Sequence, residues 1–311
     1  MNKIITLTLN PAIDKTAQTN SFVTGGLNRL KNVISDAGGK GINVSKMIAA
    51  LGGDSLAMGF LGGDSGAEIA QILKNLEIKT DFVKIKETTR TNLKILSTAH
   101  GITEFNEPGA TVTAYELKIL KKKLLNYADS NTIFVFSGSL PPGIDTDIYT
   151  NLIHMVKKKG ASVFFDADGQ SFRNALEAKP DYIKPNKFEF MQYFRKEDEL
   201  ELSLKECTCL CRQLIDKGIK MIALSMGADG ALFVTAKDTF YSPGLNINAL
   251  STVGAGDSMV GALVYAFSKG MNLREAAALA MAASAGTITT QGTKPPSIQL
   301  VNKLLKNVKF I

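Results

Sequence analysis

The chain of 311 residues is poor in cysteine and histidine. Its cysteines, Cys207, Cys209 and Cys211, stand close together, and its two histidines, His100 and His154, lie far from them. On a helix this spacing places Cys207 and Cys211 on one face. Because no second cysteine or histidine pair completes a tetrahedral site, and few Ser/His/Asp arrangements can be built, the sequence argues against zinc and triad chemistry. It favours reduced, inert thiols.

Long apolar runs and blocks of like charge are also missing. No run approaches the length of a membrane span, and the opening "MNKIITLTLNPAIDK" is too short and too β-branched for a signal sequence, so we expect a cytoplasmic protein. The net charge of +7, from 36 Lys and Arg against 29 Asp and Glu, is spread along the chain. This pattern favours a small phosphorylated ligand over nucleic acid or a membrane surface.

What the chain does contain is an alternation of β-branched runs with amphipathic segments, which is typical of parallel strands joined by helices. It predicts strands at 4–10, 55–61, 131–137, 161–167, 181–185 and 221–227, and helices at 42–51, 65–76, 113–127, 146–159, 187–194, 203–217, 257–269, 273–288 and 297–306. Because ligands of open α/β sheets bind beyond the carboxyl ends of the strands, the residues at those ends are the ones to inspect.

Two stretches break this alternation. Residues 12–36 and 84–107 read as hairpin material with no helix between the strands. We therefore expect a small sheet apart from the main one, inserted into a single domain that covers 1–311.

The segment "STVGAGDSMVGA" (251–262) places Asp257 after Gly254, Ala255 and Gly256, at the predicted start of a helix. Unpaired N–H groups at a helix start attract anions, and residues without bulk let a phosphate approach closely. Asp257 could equally be the N-cap of that helix, and both interpretations stay open at this point. Neither the P-loop motif nor the complete G-x-G-x-x-G motif is present.

Further small or polar segments fall near predicted strand ends or helix starts, and they reinforce one another. They are "DAGGKGINVSK" (36–46), "SGSLPPG" (137–143), "KPNKFE" (184–189) and "SMGADGA" (225–231). Together with 251–262 and the opening "TLNPAID", they resemble the PfkB (ribokinase-like) carbohydrate kinases along essentially the whole chain. The match is greatest to the sugar-phosphate branch, and in particular to bacterial 1-phosphofructokinases. The resemblance implies a three-layer α/β sandwich with a mostly parallel central sheet and a small β-sheet lid.

The resemblance also implies roles for individual residues. Asp257 resembles the base that takes the proton of the acceptor hydroxyl, beside an anion hole at Gly254, Ala255 and Gly256. A helix N-terminus is expected to lower the pKa of Asp257, which a loose phosphoryl transfer tolerates.

The implied substrate-binding residues are Asp14, Gly38, Gly39, Lys40, Asn43, Arg90 and Ser139, with Arg90 on the substrate phosphate. The implied ATP-binding residues are Lys184, Asn186, Ser225, Gly227, Gly230, Ser251 and Ser284, with Glu189 positioning Mg²⁺. The remaining strand-end and turn acids, Asp166, Asp168 and Asp229, are interpreted as structural.

The expected activity is ATP-dependent phosphorylation of D-fructose 1-phosphate to fructose 1,6-bisphosphate by a homodimer that associates through the lid. The alternatives are a tagatose-6-phosphate kinase and a 6-phosphofructokinase of the same family. A hypothesis of another class is a sensor of sugar phosphate or nucleotide that does not turn over. Retention of Asp257 with Gly254 and Gly256 argues against the sensor, because a sensor needs no base.

Overall fold

A computed structural model describes residues 2–194, 202–290 and 292–311. Its strands are β1 (Lys3–Thr8), β2 (Ala12–Thr19), β3 (Lys31–Gly38), β4 (Leu56–Leu61), β5 (Lys79–Thr80), β6 (Val83–Lys84), β7 (Arg90–Ser97), β8 (Gly101–Asn106), β9 (Thr132–Ser137), β10 (Ser162–Asp166), β11 (Tyr182–Ile183), β12 (Met221–Ser225), β13 (Ala231–Thr235) and β14 (Thr239–Ser242). Its helices are α1 (Lys40–Ala50), α2 (Gly63–Asn75), α3 (Ala114–Tyr127), α4 (Ile148–Lys157), α5 (Gly169–Leu176), α6 (Lys187–Phe194), α7 (Leu204–Asp216), α8 (Ala255–Ser268), α9 (Leu273–Thr287) and α10 (Ile298–Leu305).

The central sheet has the strand order β14-β13-β12-β11-β10-β9-β1-β4-β5, with β6 also paired to β4. Its pairs from β12 to β5 are parallel, and β13 and β14 add an antiparallel edge. Every residue of β9 is buried, as expected for a strand covered on both faces. The parallel direction brings the carboxyl ends of these strands to one edge of the sheet.

Helices cover both faces of the central sheet. Phe134 and Phe136 of β9 belong to a hydrophobic core shared with α4, α5 and α7. Ile133 and Val135, which alternate with them, belong to a second core shared with α1, α8, α9 and α10. This period of two divides the strand between two cores, and the result is the expected three-layer sandwich.

A separate four-stranded sheet has the order β3-β2-β7-β8. One face contributes Ile13 and Ala37 to a core that includes Ile69 and Leu73 of α2. Polar residues of the opposite face, Asp14 among them, line a cleft in front of the central sheet. The prediction of a small second sheet from 12–36 and 84–107 is therefore confirmed.

Most predicted elements are present, with ends displaced by a few residues. Helix α5 was not predicted, because its first turn begins with Gly169 and reads as a continuation of the loop after β10. Helix α7 buries Cys207 and Cys211 and exposes Cys209, as the spacing indicated. Among the described residues, no helix combines the length and apolar character that crossing a bilayer would require.

Close packing of α1 against α8 depends on Gly261. A Cβ at this position would lie 2.8 Å from the Cβ of Met47 and 3.1 Å from the carbonyl oxygen of Val44. We expect Gly261→Ala to lower the free energy of unfolding by about 1–3 kcal/mol, because a packed interface gives way poorly to added volume. Helix propensity alone would raise the free energy of unfolding by about 1 kcal/mol. If urea unfolding shows that the variant is more stable than wild type, the packing argument is wrong.

Candidate active site

A cleft of about 490 Å³ lies between the carboxyl ends of the central strands and the small sheet. The end of β1 and the segments after β1 and β9 contribute Thr8, Asn10, Gly138 and Ser139 to its wall. Helix α1 and its N-cap contribute Gly39, Lys40 and Asn43, and the start of α8 contributes Gly254 and Asp257. The cleft therefore brings together most of the residues that the sequence assigned to substrate and to catalysis, whereas Gly38, Ala255 and Gly256 are not part of its lining.

Two helices point uncapped N-termini at this cleft. Gly39 is the N-cap of α1 and Gly254 the N-cap of α8, and neither helix start receives a side-chain hydrogen bond. Gly254 has φ +79°, a left-handed conformation that favours glycine. The amide of Ala255 donates only a long hydrogen bond of 3.5 Å to the carbonyl oxygen of Thr252, so an anion could compete for it. The start of α8 therefore suits an anion hole at Ala255 and Gly256.

Asp257 lies in the first turn of α8 with only 8% of its surface exposed. Its Oδ2 accepts a hydrogen bond of 2.8 Å from Nδ2 of Asn43, so α1 orients the carboxylate. Because Gly254 occupies the N-cap position, the alternative interpretation of Asp257 as a helix cap is wrong. The carboxylate is instead a buried acid in the wall of the cleft.

The pKa of Asp257 is raised to about 6. Burial is the main cause and the nearby charge of Asp166 adds to it, whereas Lys40, the Asn43 hydrogen bond and Lys184 act in the opposite direction. The expectation that the helix terminus would lower this pKa is therefore wrong, because loss of hydration outweighs the partial charges of the helix. The consequence is a stronger base that remains mainly ionised at pH 7.

Asp166 forms a buried charge cluster at the end of β10. Its Oδ1 lies 3.3 Å from Nζ of Lys40 and its Oδ2 lies 3.6 Å from Nζ of Lys184. Burial opposes the charge on Lys40, yet Asp166 and other carboxylates raise the pKa of this lysine. The sequence interpretation of Asp166 as structural is compatible with these ion pairs, which join β10 to Lys40 and Lys184.

Asp14 faces the cleft from β2. Its Oδ1 accepts a 2.9 Å hydrogen bond from Nδ2 of Asn92, and a Cβ on Gly38 would lie 2.0 Å from its Oδ2. Position 38 therefore requires glycine, because any side chain there would collide with the Asp14 carboxylate. Burial raises the pKa of Asp14, opposed by Asn92 and nearby cations. Asn92 is absent from the predicted residues, although its place two positions after Arg90 on a strand puts it on the same face.

Arg90 is fixed at the cleft by backbone carbonyls. Its Nη1 donates to the oxygen of Glu107 at 2.9 Å and its Nη2 to the oxygen of Asn10 at 3.1 Å. Its Nε is buried and has no hydrogen-bond partner among the described residues. Burial lowers the pKa of Arg90. The guanidinium is thus partly committed to holding the loops around Asn10 and Glu107.

Most residues assigned to ATP lie at or after the ends of β11 and β12, whereas Ser251 precedes α8 and Ser284 lies within α9. Lys184 follows β11 and packs against Gly256, where a Cβ would meet its Nζ at 3.1 Å. Asn186 and Ser225 form a parallel bridge, and Gly227 begins a single helical turn. The assigned set is Lys184, Asn186, Ser225, Gly227, Gly230, Ser251 and Ser284; among the described residues that line the cleft, none belongs to it. The structure thus separates these residues from the substrate side.

Glu189 forms a reciprocal pair with Asn186 at the start of α6. The amide of Asn186 donates to the Glu189 carboxylate and the amide of Glu189 donates to the Asn186 side chain, each at 2.8 Å. Burial and the charge of Asp166 raise the pKa of Glu189. The described residues contain no group of three or more His, Cys, Asp and Glu side chains that could hold a metal ion. One oxygen ligand beside ATP phosphates nevertheless suits Mg²⁺, which keeps most of its waters.

Comparison with known proteins agrees with this geometry. The 1-phosphofructokinase of Borreliella burgdorferi is 36% identical over 98% of this chain and 97% of its own length. A tagatose-6-phosphate kinase of Staphylococcus epidermidis is 36% identical over 83% of each chain. The structure of phosphofructokinase-2 from Escherichia coli in complex with substrates and products superposes with a TM-score of 0.93 at 30% identity, over 98% of this chain and 99% of that one. The model of the pfkB family carbohydrate kinases matches residues 7–299, and the chain belongs to that family.

Proposed function

We propose that this protein transfers the terminal phosphoryl group of ATP to the 6-hydroxyl of D-fructose 1-phosphate, giving fructose 1,6-bisphosphate. The observation that carries this proposal is the buried Asp257 carboxylate at the uncapped N-terminus of α8, in the same cleft as Asp14. Relatives named 1-phosphofructokinase, which match nearly the full length of the chain, support the choice of sugar.

Asp257 would align the acceptor hydroxyl and receive its proton. A pKa of about 6 leaves the carboxylate ionised at neutral pH while making it a better proton acceptor than an exposed aspartate. The amides of Ala255 and Gly256 would stabilise the charge on the phosphoryl group in flight. Because phosphoryl transfer is usually loose, positioning by Asn43 contributes as much as basicity.

ATP would extend along the strand ends that carry Lys184, Asn186 and Ser225, so that its terminal phosphate meets α8. Lys184 supports this placement, because its ammonium lies against Gly256 in the first turn of that helix. Glu189 would hold Mg²⁺, which neutralises phosphate charge when bound.

The small sheet would act as a lid on the sugar. It carries Asp14, Asn92 and Arg90, so the sugar would be held between this sheet and the central one. Closure would exclude water, which otherwise competes with the sugar as phosphoryl acceptor.

The choice among sugar phosphates can be tested directly. We expect kcat/KM with ATP and Mg²⁺ to be higher for D-fructose 1-phosphate than for D-tagatose 6-phosphate or D-fructose 6-phosphate, measured as initial rates under identical conditions. The three sugar phosphates must be compared because the two ends of a ketofuranose are similar. A higher kcat/KM for either 6-phosphate would overturn the proposed substrate and favour one of the alternative kinases.

Asp257→Asn provides the control that separates a kinase from a sensor. This change keeps the shape of the side chain but removes the base, so kcat should fall about 10²- to 10⁴-fold while the sugar phosphate still binds. Turnover equal to wild type would show that the carboxylate has no part in the reaction.

The pH profile tests the raised pKa of Asp257. As the pH falls through about 6 the carboxylate gains a proton, so kcat/KM should decline below that value. Substrate phosphates also titrate at about pH 6. The Asn43→Ala variant distinguishes titration of Asp257 from titration of these phosphates. Loss of the hydrogen bond that favours the charged form should move the limb to higher pH, whereas the substrates keep their own pKa values. An unmoved limb would assign it to the substrates.

We also propose that the protein is a homodimer that associates through the small sheet. Large apolar side chains are exposed on this sheet and its β2–β3 loop at Val23, Leu27, Val33, Ile34, Ile102 and Phe105. Exposed apolar surface of this kind marks interaction sites.

Light scattering should therefore give about twice the mass of one chain. Phe105→Glu should shift the protein towards single chains, because it places a charge in the proposed contact. Leu76→Glu is the matched control, since Leu76 is similarly exposed but lies at the end of α2. A wild-type protein with the mass of one chain would refute the dimer.

The cytoplasmic location stays a prediction. Support comes from the free cysteines, including the buried Cys207 and Cys211, which suit a reducing compartment.

A further inference from the structure

The cleft face of the small sheet is arranged in rows of side chains that cross its strands. Asp14 pairs in register with Asn92, and Asn92 pairs with Asn106. Two residues further along each strand, Thr16 pairs with Lys94 and Lys94 with Glu104. This outer row lies about 7 Å beyond the first, still on the cleft face, because strand residues alternate between faces.

Lys94 is the cation of this outer row. Its side chain is 15% exposed and lines the cleft, and its Nζ lies 3.0 Å from Oε1 of Glu104. The Glu104 side chain is 42% exposed. An ion pair with a hydrated partner contributes little to stability, so Lys94 can leave Glu104 at small cost.

The other cations near Asp14 are more firmly held. Nζ of Lys46 contacts Asp36 at 2.8 Å, with the Ala37 carbonyl and Thr293 hydroxyl at 3.0 Å. Both terminal nitrogens of Arg90 already donate to backbone carbonyls. Of the three cations whose charges reach Asp14, which are Lys46, Lys94 and Arg90, Lys94 is therefore the one whose partner water can readily replace.

We propose that Lys94 is a specificity-determining residue that binds the phosphate group already present on the sugar, exchanging Glu104 for that phosphate. The proposal rests on the proposed function and deepens it: Arg90 fixes the inner part of the phosphate site, and Lys94 adds the mobile charge. Lysine suits this role because its ammonium is a compact charge on a flexible stem. Glu104 neutralises that charge while the cleft is empty of phosphate.

Calorimetric binding without ATP tests the proposal independently of turnover. The ligands are D-fructose 1-phosphate and unphosphorylated D-fructose, both at pH 8, where a phosphate group with a second pKa of about 6 is a dianion. Lys94→Met should raise the Kd of the sugar phosphate about 10- to 100-fold, because a charged hydrogen bond is lost. It should leave binding of unphosphorylated fructose unchanged. Lys31→Met is the matched control, since Lys31 belongs to the same sheet and lies outside the cleft lining.

Glu104→Gln distinguishes a phosphate ligand from a structural ion pair. If Lys94 serves the phosphate, this change removes a competitor and the Kd for fructose 1-phosphate should fall or stay the same. If the pair only holds β7 to β8, both substitutions should weaken binding alike, and that result would overturn the proposal. A Kd within twofold of wild type for Lys94→Met would overturn it as well.

The outcomes for substrate and for Lys94 remain separable. Should wild-type enzyme prefer another sugar phosphate in the rate assay, the proposed substrate fails, and the same variants are titrated with the preferred compound. Should wild type bind fructose 1-phosphate and turn it over while Lys94→Met binds it equally well, the Lys94 proposal fails and the proposed function stands.

Discussion

The buried carboxylate of Asp166 is the interaction on which the site depends. It holds the ammonium groups of Lys40 and Lys184 at the end of β10, and both lysines come from other elements. An acid this deeply buried is tolerated because cations surround it. Its charge also reaches Asp257 and Glu189, where it contributes to the raised pKa of each. One carboxylate thus adds to the effect of burial on both the proposed catalytic acid, Asp257, and the proposed Mg²⁺ ligand, Glu189.

An asparagine orients each of the two aspartates that face the cleft. Asn43 donates its amide to Asp257, and Asn92 donates its amide to Asp14. The carbonyl oxygen of each asparagine is buried without a hydrogen-bond partner among the described residues. Each acid is therefore oriented by a neutral group that leaves an acceptor free, which suits a substrate rich in hydroxyl groups.

The fold could be predicted from the sequence because the spacing of apolar residues and the residues at strand ends are local signals. The alternation of buried runs with amphipathic segments located the strands and most helices, and the break at 12–36 and 84–107 located the small sheet. It failed where the answer depends on burial. The pKa of Asp257 was expected to fall, since the sequence shows the helix start but not the loss of water around it. The partners of Asp166 and Asn92, which are Lys40, Lys184 and Asp14, could not be assigned from the sequence because they are distant in the chain.

The bare starts of α1 and α8 have a consequence for the folded state itself. Helices α3, α7 and α9 begin with capping boxes, whereas α1 and α8 begin with glycines that supply no cap. Glycine at the N-cap in place of Ser, Thr, Asp or Asn forgoes about a few tenths of a kcal/mol per helix. Bound phosphate would fill that role from outside the chain, so occupancy of the pocket and resistance to unfolding are linked through the same amides. A chain without phosphate at these helix starts would accordingly unfold more easily than one with phosphate bound there.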